Sequence, residues 1–329
     1  MRRLGNLIFI FMVIFWGEMA VTAQLAPQKI EVEWSVQTNG WPDKLWVYKV
    51  VPQEFSEAVI SNVMVLSSFS TNDRGKMPDY FAKMDASASY FGNPWSKHLT
   101  ISSLLGYIEY HDGTAQARMV SAEKGVPEPV TGVPDQEETT RLGLKILRLL
   151  GIEASQLATK SGTCDLDLHW DKGGRTYLNE KTGKQVIDEV DNFGVFFDRR
   201  VDGLNATGIG LNGGVFISFG NNAKIIDLKA CWRNLKPFQL CQCPTTNEIS
   251  GWIRDRKILL RGERSPSNVT KLIISKAAFL YDGKVGDEKM DLVFPYAVFD
   301  ATAVSEHATN LVRLQCPMTM LKDNWSVIK

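Results

Sequence analysis

Toward its C-terminus the chain carries three extended apolar runs: Lys271-Leu-Ile-Ile-Ser-Lys-Ala-Ala-Phe-Leu-Tyr281, Asp291-Leu-Val-Phe-Pro-Tyr-Ala-Val-Phe299 and Asn310-Leu-Val-Arg-Leu-Gln-Cys316. Apolar residues make up most of each and no 3.6-residue period runs through them, so each reads as a strand. Nothing helical separates them, which argues against βαβ units. The same character extends upstream. Gly214–Phe219 and Ala223–Leu228 flank Gly220-Asn-Asn222 and read as a hairpin. Phe193–Arg199 reads as a strand, and Cys164–Trp170 alternates. Asp171-Lys-Gly-Gly174 reads as a turn answered by Arg175–Asn179. Near the N-terminus Ile30–Val36, Lys44–Val51, His98–Ser102 and Leu105–Tyr110 follow the strand pattern, with Gly106 as a bend.

Helical signals are fewer. Phe55, Val59, Val63 and Leu66 recur at helical spacing after Pro52, and Tyr80, Phe81 and Met84 suggest a short helix inside the polar stretch 70–95. The clearest helix opens at Asp135, a good N-cap, with Glu137 and Glu138 suiting the positive end of its dipole. Leu142, Ile146, Leu149 and Leu150 form its apolar face and Gly151 stops it. Thr245-Thr-Asn-Glu248 has capping-box spacing before Ile249, Trp252 and Ile253. Many strands, few helices and no strict alternation predict an α+β class, with antiparallel sheets and a few helices packed on one face. Val126-Pro-Glu-Pro-Val-Thr-Gly-Val-Pro134 is dense in turn formers and reads as a linker. It divides an N-terminal module, 24–125, from a related C-terminal module, 135–329.

With 329 residues, 44% hydrophobic and 22% charged, the chain belongs with globular proteins and not with disordered, collagen-like or polytopic membrane chains. Residues 1–23 read as a secretory signal peptide: Arg2 and Arg3, the apolar run Leu7–Trp16, then small residues before a cleavage point after Ala23. An apolar helix that short spans only about 15 Å, half of a ~30 Å hydrocarbon core, which disfavours an anchor. A secreted or periplasmic protein without stable membrane insertion is therefore expected. Lys plus Arg and Asp plus Glu both total 37. That balance gives no electrostatic motive for binding nucleic acid.

All five cysteines, at 164, 231, 241, 243 and 316, fall in the exported part. Outside the cytoplasm a short-loop disulfide joining Cys231 to Cys241 or Cys243 is open to the chain, and the odd count leaves a thiol over. The C-Q-C spacing lacks the geometry of a zinc site. Sequons occur at Asn205, Asn268 and Asn324 and matter only in a eukaryotic secretory pathway.

The order of segments from about 135 to 300 forms a recognisable pattern. It comprises the helix from Asp135 to Gly151, Val195-Phe-Phe-Asp-Arg-Arg-Val-Asp-Gly203, Gly213-Gly-Val-Phe-Ile-Ser-Phe-Gly220 and Asn222-Ala-Lys-Ile-Ile-Asp-Leu228. Trp232-Arg-Asn-Leu235, the helix after Thr245, Ile273–Tyr281 and Pro295-Tyr-Ala-Val-Phe299 complete it. This order resembles the YycH/YycI-like extracytoplasmic regulators and the wider PepSY-like group. The resemblance implies an α+β protein that binds or restrains other proteins outside the cytoplasm, and it transfers no active-site residue. YycI-like regulators keep an N-terminal membrane helix, whereas residues 1–23 here read as cleavable.

Catalytic motifs are missing from the sequence: there is no G-x-S-x-G, H-E-x-x-H, P-loop or complete dinucleotide fingerprint, and no cofactor is implied. Gly208-Ile-Gly210 is followed by Gly213 and Gly214 at the wrong offsets, before a strand. Of the four histidines, His98, His111 and His307 read as surface or capping residues. Asp165-Leu-Asp-Leu-His-Trp-Asp171 is the sharpest constellation. On a strand Asp165, Asp167, His169 and Asp171 share one face, a donor set suited to Mn²⁺, Zn²⁺ or Ca²⁺. Same-face neighbours along a strand lie about 6.6 Å apart, so a solvated face accounts for the same letters better. Arg199, Arg200, Trp232 and Arg233 are the partner-binding candidates, because Arg pairs bidentately with carboxylates and Trp supplies contact area. A buried Trp232 with arginines lying over it fits the same residues. The leading expectation is an exported, non-catalytic protein that binds an extracytoplasmic protein or peptide. A secreted metal-dependent hydrolase and a carrier of a small apolar ligand are the alternatives.

Overall fold

The computed structural model describes residues 30–113, 130–160, 163–178, 185–206, 214–255, 260–261, 269–282 and 291–319. The signal segment 1–23, residues 126–129 of the linker, Asn179, the Gly208–Gly213 run and the sequons at Asn268 and Asn324 lie outside these. The order is β1 (Glu31–Trp34), β2 (Lys44–Val51), α1 (Glu57–Ser67), α2 (Asp79–Met84), β3 (Ser89–Asn93), β4 (Lys97–Ser102), β5 (Tyr107–Asp112) and α3 (Gln136–Leu149). It continues with β6 (Leu168–Leu178), β7 (Gln185–Val201), β8 (Leu204–Ala206), β9 (Gly214–Phe219), β10 (Ile225–Cys231) and β11 (Asn234–Gln242). α4 (Thr246–Arg254), β12 (Leu260–Arg261), β13 (Val269–Asp282), β14 (Leu292–Ser305) and β15 (Thr309–Pro317) complete it.

The fold is α+β, a large mixed sheet with few helices. Fifteen strands connect along the path β11-β2-β14-β13-β8-β7-β9-β10-β5-β4-β3, with β1, β6, β12 and β15 paired beside it. The C-terminal runs form the antiparallel meander β13-β14-β15. β1 and β8 both pair parallel to β13, so the sheet is not purely antiparallel. β7 turns the corner. Its Phe193–Asp198 stretch pairs with β9, and Arg199–Val201 pairs with β8, which hands the ladder on to Leu280 and Tyr281 of β13.

Strand alternation decides what each face buries. Leu99, Ile108, Val195, Phe197, Ile217 and Leu228 meet Val63 and Met64 of α1 and Ile146 and Leu147 of α3 in one apolar cluster. A second cluster sets Ile249 and Ile253 of α4 against Leu272, Ile274, Phe299 and Leu314. There Trp34 and Trp41 crowd Phe299, with ring centroids at 5.4 and 5.9 Å. Two end-capping expectations hold. Asp135 accepts from the Glu138 N–H, and Thr245 with Glu248 forms a capping box. Among the described residues no helix is long and apolar enough to cross a membrane.

Two readings need correction. Asp171–Gly174 is not a turn: β6 runs through it against β7, and the ladder is interrupted by a bulge in β7, where Asp191 is the extra residue opposite the Gly173–Gly174 step. β3 and β11 lie in stretches where turn formers hid the strand; β11 takes Pro237 because it is an edge strand, bonded on one side to β2 alone. Strands on either side of the 126–134 stretch also pair with one another. β5 pairs with β10, β2 with β11 and β14, and β1 with β13, each across the linker. The linker's end is itself tied down, with Asn222 and Ala223 donating backbone N–H groups to the carbonyls of Thr131 and Gly132.

Candidate functional site: an arginine–tryptophan cleft

Period-two alternation separates the neighbouring arginines of β7. Arg199 follows Val195 and Phe197 on the core-facing side, whereas Arg200 emerges exposed on the other. Arg199 lies over the Trp232 ring, 5.0 Å from its centroid, and Nη1 donates to the Arg233 carbonyl at 2.6 Å. Burial lowers the pKa of its guanidinium to about 10, which still leaves it charged at neutral pH. Trp232 and Arg233 occupy the link between β10 and β11. Trp232 donates its N–H to the Gly106 carbonyl at 2.8 Å, and Gly106 sits at φ 59. A Cβ there would come within 2.9 Å of the Arg233 Cα, so the bend at Gly106 admits this link only because it is glycine.

Arg233 is buried to 1% exposure and donates Nε to the Leu105 carbonyl at 3.2 Å. It therefore props the wall from behind. In front lies a cleft of 280 Å³, lined by Arg199, Trp232, Gln53, Gln156 and Asn234 with Phe55, Ile108 and Leu150 as its apolar part. Among the described residues its lining includes cations and amides and no carboxylate. A desolvated guanidinium among amides suits an anionic or carbonyl-bearing group, because charge-assisted hydrogen bonds strengthen where water is excluded. Of the expected quartet, the structure thus joins Arg199, Trp232 and Arg233 and sends Arg200 elsewhere. Gln53, Gln156 and Asn234 were missed; they belong to distant segments and follow no local pattern.

The alternating strand at 165–171 behaves as its letters predict on the apolar side. Leu166 and Leu168 pack on the first core, and the Trp170 indole donates to Thr140 Oγ1 of α3 at 3.2 Å. On the polar side Asp167 and His169 act electrostatically on Asp198. Burial holds the Asp198 carboxyl above the usual range; His169 works against that shift and Asp167 adds to it. The four candidates do not converge. Asp165 lies in a bend ahead of β6 and Asp171 is exposed further along it. Among the described residues no group of three or more His, Cys, Asp or Glu could hold a metal ion.

The histidine reading also changes. His111 Nδ1 stands 2.7 Å from Asp227 Oδ1, and the His98 and His111 rings lie 5.6 Å apart on one sheet face. Burial lowers the His98 pKa. His98 is thus part of the fold, while His307 is an exposed loop residue beside Glu306. All five cysteines are unbridged. The disulfide expected among Cys231, Cys241 and Cys243 is absent because the chain separates them. Cys231 ends β10 near Leu105, whereas Cys241 on β11 and Cys243 beyond its end enter two different apolar clusters. Burial raises the pKa of each of the three thiols.

No family model matches the chain, and no curated protein matches it. Among solved structures it is similar to an uncharacterized protein from Eubacterium rectale, at 11% identity and a TM-score of 0.44, over 87% of this chain and 86% of that one.

Proposed function

We propose that the chain is an exported, non-catalytic binding protein that recognises a protein or peptide outside the cytoplasm, with the Arg199–Trp232 cleft as its recognition point. The observation that carries this reading is the buried guanidinium stacked on an indole and opening into a cleft lined by amides and apolar groups. Arg and Trp are the side chains that dominate binding hot spots, and a desolvated cation is selective for a carboxylate or carbonyl acceptor. On this reading the chain consists of two α+β modules, each with its helices on one sheet face. The separate apolar clusters under α1 with α3 and under α4 support that division. The YycI- and PepSY-like resemblance points the same way.

Capture from the extracytoplasmic fraction with the native chain and an Arg199→Gln variant tests it. The native chain should retain a stoichiometric partner that the folded variant loses by tenfold or more. Equal retention by both, or no partner alongside measurable hydrolytic turnover, would overturn the assignment.

A further inference from the structure

Next to the Arg199 cleft, the stretch made of residues 154–160 and 163–166 lies beside the end of α3. It is held there by isolated bridges of Leu157 to Arg199 and of Thr159 to Leu166. Between segment and helix lies a pocket of 440 Å³, within the range of about 300–1,000 Å³ typical of small-molecule sites. Leu144, Leu147, Leu157 and Leu166 give it an apolar lining. Arg148 and Arg200, both exposed, supply two cations at the rim, and among the described residues no carboxylate lines it.

We propose that this pocket binds a small anionic amphiphile, an alkyl chain ending in a carboxylate or phosphate head group. The apolar lining favours the tail in proportion to the area it removes from water. The two guanidiniums select the head, since Arg matches the paired oxygens of either anion. A neutral head would leave both cations unused, and a cationic head would be repelled. Arg148 stands in the last turn of α3, where its charge also offsets the negative end of the helix dipole. The pocket shares no side chain with the Arg199 cleft except Ile152, so the proposal does not rest on the function assigned to that cleft.

Cys164 provides the readout. It lines the pocket and is exposed, whereas Cys231, Cys241, Cys243 and Cys316 are buried. A thiol reagent should therefore label the native full chain at Cys164 first. Decanoate or decyl phosphate below its micelle threshold should slow that labelling at least tenfold at saturation, and which of the two acts at lower concentration assigns the head group. 1-Decanol should protect far more weakly, and acetate not at all. Arg148→Gln, Arg200→Gln and the double variant replace exposed side chains, so all should stay folded, Arg148→Gln giving up only the small helix-end contribution of its charge, while each needs about tenfold more decanoate or decyl phosphate for half-protection. Failure of both anionic amphiphiles to protect, protection by 1-decanol as strong as theirs, or unchanged protection in the double variant would each overturn the proposal.

Discussion

Asp198 and Arg199 are neighbours on β7, yet their environments differ because adjacent strand residues face opposite ways. Asp198 carries a carboxyl that burial holds protonated to higher pH than a free aspartate. A group whose folded pKa lies above its unfolded value binds more protons in the folded state, so stability falls as pH rises from the ordinary aspartate value through the raised one. Above that window the charged carboxylate costs stability that an amide would not. Asp198→Asn should therefore raise the melting temperature at neutral pH and flatten the decline seen between acid and neutral solution. Parallel melts of the two proteins from pH 3 to pH 7 check this, and an identical decline in both would contradict it. Much at this scale was legible in the letters, since the alternation at 165–171 correctly divides Leu166 and Leu168 from Asp167 and His169. What alternation could not reveal is that Asp198, from another strand, meets Asp167 and His169.

α3 shows how an element's contacts exceed its own code. Its N-cap, acidic first turn and apolar face follow from local sequence, and the helix forms where those signals place it. Gly143, in its middle, has no local reason to be there, because glycine costs about 1 kcal/mol against alanine in a helix. Packing supplies the reason. A Cβ at Gly143 would sit 2.7 Å from two atoms of the Phe197 ring and 3.1 Å from Val195 Cγ1. Gly143→Ala gains helix propensity but overpacks the contact with β7, typically at a cost of about 1–3 kcal/mol. We expect a net loss on the order of 1 kcal/mol in urea unfolding, from the balance of those two terms. A more stable variant would show that the helix can move off the sheet at little cost.

For the whole molecule the decisive fact is that strands pair across the linker. Protease should cut between Val120 and Pro129, ahead of the residues that Asn221, Asn222 and Ala223 hold in place. The two fragments should nonetheless co-elute in native buffer, because β5–β10, β2–β11, β2–β14 and β1–β13 all bridge the cut. They should part only in denaturant. Fragments that separate without it would restore the sequential two-module division.

By itself the sequence determined what depends on near neighbours: the α+β class, α1, α3 and α4 with the N-caps of the last two, the C-terminal strands, and which side chains share a face. Those features rest on backbone propensity, capping hydrogen bonds and the two periodicities, all of which act within a few residues. Only the tertiary structure decided which strands pair, why Pro237 is tolerated, that Cys231, Cys241 and Cys243 stay apart, and that Gln53, Gln156 and Asn234 join Arg199 in one cleft. Strand pairing is set by burying faces against each other over long separations, and a strand's own residues do not name its partner.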